Sequence, residues 1–320
     1  CRNEEKYIAK CLDSLIIQDY PKEKLEVLVM NGTSEDKTKQ IVQTYTERYP
    51  FIKLRENPKK FTPFGLNIGL KEAKGGIIMR MDAHAGYERD YISKCVKYLL
   101  ESNADNVGGI IKTLPAKNTI VAKAIAIVLS HFFGVGGSYF RMGSKRPMWV
   151  DTVFGGCYKR EVFSKVGFFD ERLRRSQDIE FNKRLARVGG KILLVPEIKS
   201  IYYPQSDFKN FLKHNFNDGI WAIYPLKFGI VFFSLRHLIP LFFVSSLMIL
   251  TLLSFFSLIF FKIFLFEIGI YFLANSYFSA KISFKEKDLK YFPLMLIAFT
   301  IRHFGYGFGS IWGLIKVCGK

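Results

Sequence analysis

From Leu238 to Phe261 the chain runs without a single charged side chain. As a helix that stretch is roughly 36 Å long at about 1.5 Å per residue, longer than the ~30 Å hydrocarbon core of a bilayer. A soluble helix needs a polar face, and this run has none. After Lys262 the stretch Ile263–Ala280 is again apolar apart from Glu267, and a third stretch, Tyr291–Ile315, is interrupted by Arg302-His303. Two or three transmembrane helices are therefore expected over 238–320. Charge in mid-membrane is expensive, so the third segment either spans at the cost of Arg302 and His303 or is re-entrant or interfacial.

The flanks set the orientation. Lys209, Lys213, Lys227 and Arg236 precede the first span, Lys262 alone lies between the first two, and Lys281, Lys285, Lys287 and Lys290 follow the second. Cationic loops stay on the cytoplasmic side, so the first two spans form a hairpin in the inner (cytoplasmic) membrane with the rest of the chain cytosolic. Much of the net charge of +19 has this topological origin, which leaves little reason to expect a nucleic-acid partner. Thr119–Phe140 is also apolar but carries Lys123 and His131; it reads as an amphipathic helix on the membrane surface or on the domain's own core. Residues 221–237, with Trp221 and Tyr224, read as an interfacial segment.

Residues 1–220 have a different character. Apolar runs of strand length (Leu25–Met30, Ile77–Met81, Ile192–Val195) alternate with helical patterns at about 4–17, 35–48, 63–73, 88–101 and 177–188. That alternation predicts an α/β domain with a mostly parallel sheet and a ligand crevice at the carboxyl ends of the strands. Thr33-Ser34-Glu35-Asp36 has the form of a capping box. Five scattered cysteines without C-x-x-C spacing fit neither a disulfide framework nor a zinc site. Cys1-Arg2-Asn3-Glu4-Glu5 has neither the basic start nor the apolar run of a signal peptide, and no initiator Met, so upstream residues are expected.

Several groups could carry chemistry. Alternation along a strand would point Asp82 and His84 the same way, where a carboxylate and an imidazole can share a divalent cation, Mg²⁺ or Mn²⁺. The bland reading is a strand-end Asp beside a surface His. Asp178 opens a helix after Arg172, Arg174 and Arg175, a cluster able to hold phosphate or orient a carboxylate, although an acid there can simply complement the helix dipole. Gly155-Gly156 permits close backbone approach, by a ligand or within a tight turn. Arg2-Asn3-Glu4-Glu5 and Asn31-Gly32 sit at adjacent strand ends, where a nucleotide would lie. No P-loop and no G-x-G-x-x-G occurs.

In order, Arg2-Asn3-Glu4-Glu5, Val29–Thr38, Asn67-Ile68-Gly69 with Ala73-Lys74-Gly75, Arg80–Ala85, Phe154-Gly155-Gly156, Gly167–Glu171 and Gln177-Asp178 resemble family 2 glycosyltransferases of the GT-A fold. The similarity is greatest to the membrane-attached bacterial exopolysaccharide branch, of the succinoglycan glucosyltransferase type. The resemblance implies inverting transfer from a nucleotide-diphosphate sugar, usually UDP-linked, to a lipid-linked or polysaccharide acceptor. It implies roles by position: Asp82 and His84 at the metal and diphosphate, Asp178 as general base, Arg2, Glu4 and Asn31 in the nucleotide pocket with Asp82, and Gly155, Gly156 and Arg175 beside the acceptor. His84 replaces the usual second acid, and Asn31 stands where many members have Asp. These departures motivate an alternative, a catalytically impaired nucleotide-sugar-binding membrane scaffold. His214–Trp221 is only loosely similar to the Q-x-x-R-W segment of processive synthases, so single-sugar addition is expected.

Overall fold

In the computed structural model residues 1–319 are described. Compactness divides the chain differently from composition: one unit comprises residues 1–112 and 139–203, the other 113–138 and 204–320.

The first unit is α/β. Its strands are β1 (Val27–Asn31), β2 (Ile52–Glu56), β3 (Ile77–Met79), β4 (Ala85–Tyr87), β5 (Asn106–Thr113), β6 (Met148–Trp149), β7 (Cys157–Lys159) and β8 (Ile192–Tyr202). The helices of the chain are α1 (Ile8–Ile16), α2 (Thr38–Arg48), α3 (Thr62–Glu72), α4 (Tyr91–Glu101), α5 (Ile120–Val128), α6 (Phe132–Val135), α7 (Tyr139–Met142), α8 (Glu161–Val166), α9 (Gln177–Arg187), α10 (Phe208–Ile223), α11 (Leu235–Leu253), α12 (Leu258–Glu286) and α13 (Tyr291–Cys318). β1 and β2 pair in parallel as a separate two-stranded sheet. The larger sheet runs β3-β7-β5-β8-β4, with β6 on β8. There β3/β7, β5/β7, β4/β8 and β6/β8 are antiparallel.

The expected α/β class holds, but the sheet is mixed rather than mostly parallel. The short strands β4, β6 and β7 fill its antiparallel positions, and two or three residues carry too little hydrophobic pattern to register in the sequence. β8 shows why its run Ile192-Leu193-Leu194-Val195 is continuously apolar. Leu193 and Val195 enter a cluster with Ile8, Leu12, Leu99 and Val107, while Ile192 and Leu194 enter another with Phe163, Phe169, Phe181 and Leu185. Successive side chains face opposite sides of a strand, so a strand covered on both sides needs apolar residues at every position.

The second unit is helical. Two of its helices, α11 and α12, are long and apolar enough to cross a membrane. The uncharged run is not one span: α11 ends at Leu253, and 254–257 separate it from α12. The serines at 254 and 257 mark the break, which a count of charges does not see. Thr119 caps α5 by accepting the Ala122 N–H, and Ala122, Ala124, Ile125 and Val128 are buried, so this segment is core. α13 runs unbroken through Arg302 and His303. Arg302 donates to the Gly134 carbonyl (2.9 Å) and pairs with Asn215 Oδ1 (2.5 Å), and His303 Nε2 lies 2.7 Å from the Phe133 carbonyl. Small residues let helix backbones touch: a Cβ on Gly309 would lie 2.0 Å from the Phe216 carbonyl of α10.

Candidate active site

β3 pairs with β7 so that Met79 faces Cys157. The segment leaving β3, Arg80-Met81-Asp82, therefore runs beside Gly155-Gly156, which leads into β7. The Arg80 N–H donates to the Gly156 carbonyl at 3.0 Å. Gly155 has φ +69°, and a Cβ there would stand 2.7 Å from the Arg80 carbonyl oxygen. The close approach that the glycine pair admits is that of the chain's own backbone.

β3 ends at Met79, so Asp82 and His84 do not follow strand alternation. Ala83-His84 turn, closed by the Ala85 N–H donating to the Asp82 carbonyl (3.1 Å), and the Asp82 N–H donates to the Tyr87 hydroxyl (2.7 Å). The two side chains are nevertheless electrostatic neighbours. His84 Nδ1 lies 3.5 Å from Glu4 Oε1, and its ring meets Tyr202 edge-on. Burial favours the neutral imidazole, but Glu4 and Asp82 outweigh it, so the His84 pKa stands above its ordinary value. For Asp82, burial raises the pKa, and Arg80 and His84 more than reverse this, holding the carboxyl below the usual range.

Arg80 joins the two aspartates singled out by the sequence. Its side chain is 10% exposed; Nη2 donates to Asp82 Oδ1 at 3.0 Å, and Nη1 lies 3.2 Å from Asp178 Oδ2. Both carboxylates thus rest on one planar guanidinium. Asp178 stands in the first turn of α9, directly after Ser176 (φ 59°) and the buried Gln177. A non-glycine residue in the left-handed region marks a backbone held in place by its surroundings. Behind it lies a buried polar cluster: the Asn182 carboxamide accepts from Asn106 Nδ2 (3.0 Å) and the Tyr158 hydroxyl (3.1 Å) and donates to Thr152 Oγ1 (2.9 Å).

Arg172 pairs with Asp170 (2.6 Å), and the Arg174 guanidinium stacks on the Phe61 ring. Arg175 is half-buried just before α9. Glu180, beside Asp178 in sequence, is buried against Arg184 (2.6 Å) and belongs to the core.

The segment 2–5 is laced to the loop after β1. Asn3 (φ 56°) accepts from the Glu35 N–H (2.9 Å), the Glu4 N–H donates to Thr38 Oγ1 (2.7 Å), the Glu5 N–H to Asp36 Oδ2 (3.1 Å), and Arg2 faces Glu35 (3.5 Å). Asn31 is buried, donating to Glu56 Oε2 and accepting from the Ser34 N–H. The Thr33–Asp36 capping box does not form: α2 begins at Thr38, whose N–H donates to Asp36 Oδ1.

A divalent cation can be tested against the donors present. Asp82 keeps Oδ2, and His84 keeps Nε2, without a hydrogen bond among the described residues. No group of three or more His, Cys, Asp or Glu side chains there is set to hold a metal. One carboxylate oxygen and one imidazole nitrogen fit a divalent cation only if its remaining ligands come from phosphate and water.

Sequence reasoning missed Arg80, Tyr87, Tyr158 and Asn182. Arg80 had a signal: it is the one charged residue in the apolar run Ile77–Met81.

The model of the family "Glycosyl transferase family 2" matches residues 1–167. A Methanococcus voltae protein named dolichyl N-acetyl-alpha-D-glucosaminyl phosphate 3-beta-D-2,3-diacetamido-2,3-dideoxy-beta-D-glucuronosyltransferase is 30% identical over 98% of this chain and 95% of its own length. The succinoglycan biosynthesis protein ExoA of Rhizobium meliloti is 27% identical over 72% of this chain and 75% of its own. Among solved structures, the mannosyltransferase PcManGT of Pyrobaculum calidifontis, in complex with GDP-Man and Mn²⁺, superposes with a TM-score of 0.60 at 19% identity, covering 95% and 84% of the two chains. The chain belongs to glycosyl transferase family 2, an enzyme of the GT-A fold.

Proposed function

We propose that the protein moves a sugar, with inversion, from a nucleotide-diphosphate sugar to a membrane-associated, lipid-linked glycan acceptor in exopolysaccharide or capsule biosynthesis. Its catalytic half would lie on the cytosolic side of the cytoplasmic membrane. The observation that carries the reading is the pair of carboxylates, Asp82 and Asp178, on the single guanidinium of Arg80.

Inverting transfer needs a base on one face of the sugar and a stabilised leaving group on the other. Asp178 accepts the proton of the acceptor hydroxyl as its oxygen attacks the anomeric carbon. The bond from that carbon to the phosphate oxygen breaks, and its electron pair leaves with the diphosphate. Asp82 and His84 would hold a divalent cation, Mn²⁺ rather than Mg²⁺ by the nitrogen donor, which supplies charge neutralisation on the diphosphate. Arg2, Glu4 and Asn31 would shape the nucleotide pocket, and Gly155, Gly156 and Arg175 would border the acceptor. The lipid-linked acceptor is supported by the name of the Methanococcus voltae relative, whose similarity extends over the apolar helices. Nucleotide-sugar donors are supported by the complex of the mannosyltransferase with GDP-Man, and UDP- and GDP-sugars are the donors to screen.

Asp178→Asn removes the proton acceptor and little volume. Transfer should fall about 100- to 10,000-fold with donor affinity, read by calorimetry, nearly unchanged; near-normal turnover rejects the assigned base. Activity should vanish in excess EDTA and return with Mn²⁺, and full activity in EDTA would remove the role given to Asp82 and His84.

A further inference from the structure

We propose that Arg80 is the positioning residue of transfer: its buried guanidinium sets the separation between the donor-side Asp82 and the acceptor-side Asp178. The inference rests on the reading of Asp178 as base and adds to it the group that fixes where that base stands.

Asp82 and Asp178 come from segments far apart in sequence, one after β3 and one at the start of α9. Each meets a different η nitrogen of the same fork. A guanidinium is planar and its nitrogens are fixed relative to one another, so the carboxylate hydrogen-bonded to Nη2 and the carboxylate ion-paired with Nη1 share one rigid frame. The arginine is itself held. Its N–H is bound by Gly156, its carbonyl abuts Gly155, and among the described residues the side chain makes one hydrogen bond, Nη2 to Asp82, while Nε has none and Nη1 meets Asp178 as an ion pair at 3.2 Å without hydrogen-bond geometry. Burial, the hydrogen bond to Asp82 and the ion pair with Asp178 hold the side chain.

Neutralising two nearby carboxylates would need only a positive charge, which lysine also supplies. Fixing their spacing needs the fork, which lysine lacks. Arg80→Lys therefore separates the two roles. A misplacement of about 1 Å can cost on the order of 100-fold in rate.

The experiment is steady-state kinetics on the full-length protein in detergent with a matched donor and acceptor, with thermal unfolding followed in parallel. Arg80→Lys should lower kcat about tenfold and Arg80→Gln about 100-fold, both with donor KM within about threefold of the parent. Should Arg80→Gln fail to fold, Arg80→Lys decides alone. A kcat for Arg80→Lys within twofold of the parent overturns the proposal, since charge is then sufficient. A rise in donor KM that accounts for the whole loss overturns it too, because Arg80 would then serve donor binding. An inactive Asp178→Asn beside a normal Arg80→Lys rejects this inference and leaves the base in place. An active Asp178→Asn rejects the base and this inference with it.

Discussion

Gly155 shows how much of the site rests on atoms that are absent. At φ +69° an L-residue loses about 1 kcal/mol or more, and its Cβ would stand 2.7 Å from a backbone oxygen, which cannot swing aside as a side chain can. The oxygen belongs to Arg80. Gly155→Ala should therefore cost roughly 2 kcal/mol of stability and, by shifting Arg80, lower kcat more than it raises donor KM. Thermal unfolding and kinetics check this, and an alanine variant with the parent's melting temperature and turnover would show that the contact relaxes freely. At this scale the sequence was informative where a residue type is unusual for its place. Asp82, His84, Asp178 and the glycine pair all stand out in the string. Asn31 could be placed at a strand end, but not its bonds to Glu56 and Ser34, because Glu56 arrives from β2 only through the parallel pairing of the two strands. His84 likewise reads as a lone imidazole until the fold brings Glu4 to within 3.5 Å.

Elements were legible in proportion to their length and to the evenness of their burial. α1, α2, α4 and α9 have apolar positions at helical spacing over nine to eleven residues, enough turns for the period to show. β5 is longer than most of the strands, yet Gly108-Gly109 dilute its pattern. The reason for that pair lies in tertiary structure: a Cβ on Gly109 would fall 1.9 Å from the Ile198 carbonyl of β8. β7 has three residues, and its antiparallel pairing with β3 is what carries Gly155-Gly156 to Arg80. The expectation of a mostly parallel sheet failed at the elements that build the site. A strand of three residues terminates quickly, and the chain between β3 and β4 is then free to turn and present Asp82 and His84 from a loop. In α13 the charged pair was visible and its resolution was not. Arg302 and His303 find carbonyls at Gly134 and Phe133, residues more than 160 positions earlier, which no local pattern encodes.

At the scale of the whole molecule the chain joins an α/β half to helices, two of which are long and apolar enough to cross a membrane. Composition separates the apolar helices from the α/β half sharply, because the run from Leu238 to Phe261 carries no charged residue. Compactness groups 113–138 with 204–320, because α5 and α6 pack with helices of the second unit. The hairpin of α11 and α12 carries the topological prediction. α11 has 19 residues and α12 has 29, about 28 and 44 Å at the helical rise; in a bilayer the first would match the hydrocarbon core, and the second would exceed it and tilt or emerge. Phe255 and Phe256, in the turn between them, are 83% and 86% exposed. Only Lys262 lies near that turn, whereas three cations precede α11 with Arg236 in its first turn, and four surround the end of α12, so the turn should face away from the cytosol. With Cys1 and Cys318 replaced by serine, Phe256→Cys should react with a membrane-impermeant maleimide in intact cells. Lys290→Cys should react only after the membrane is opened. Labelling of Lys290→Cys in intact cells with Phe256→Cys protected would invert the hairpin, and with it the cytosolic placement of the sugar-transfer half. Equal labelling of both sites in intact cells would mean that α11 and α12 do not span the membrane, leaving them to lie along its surface or against another protein.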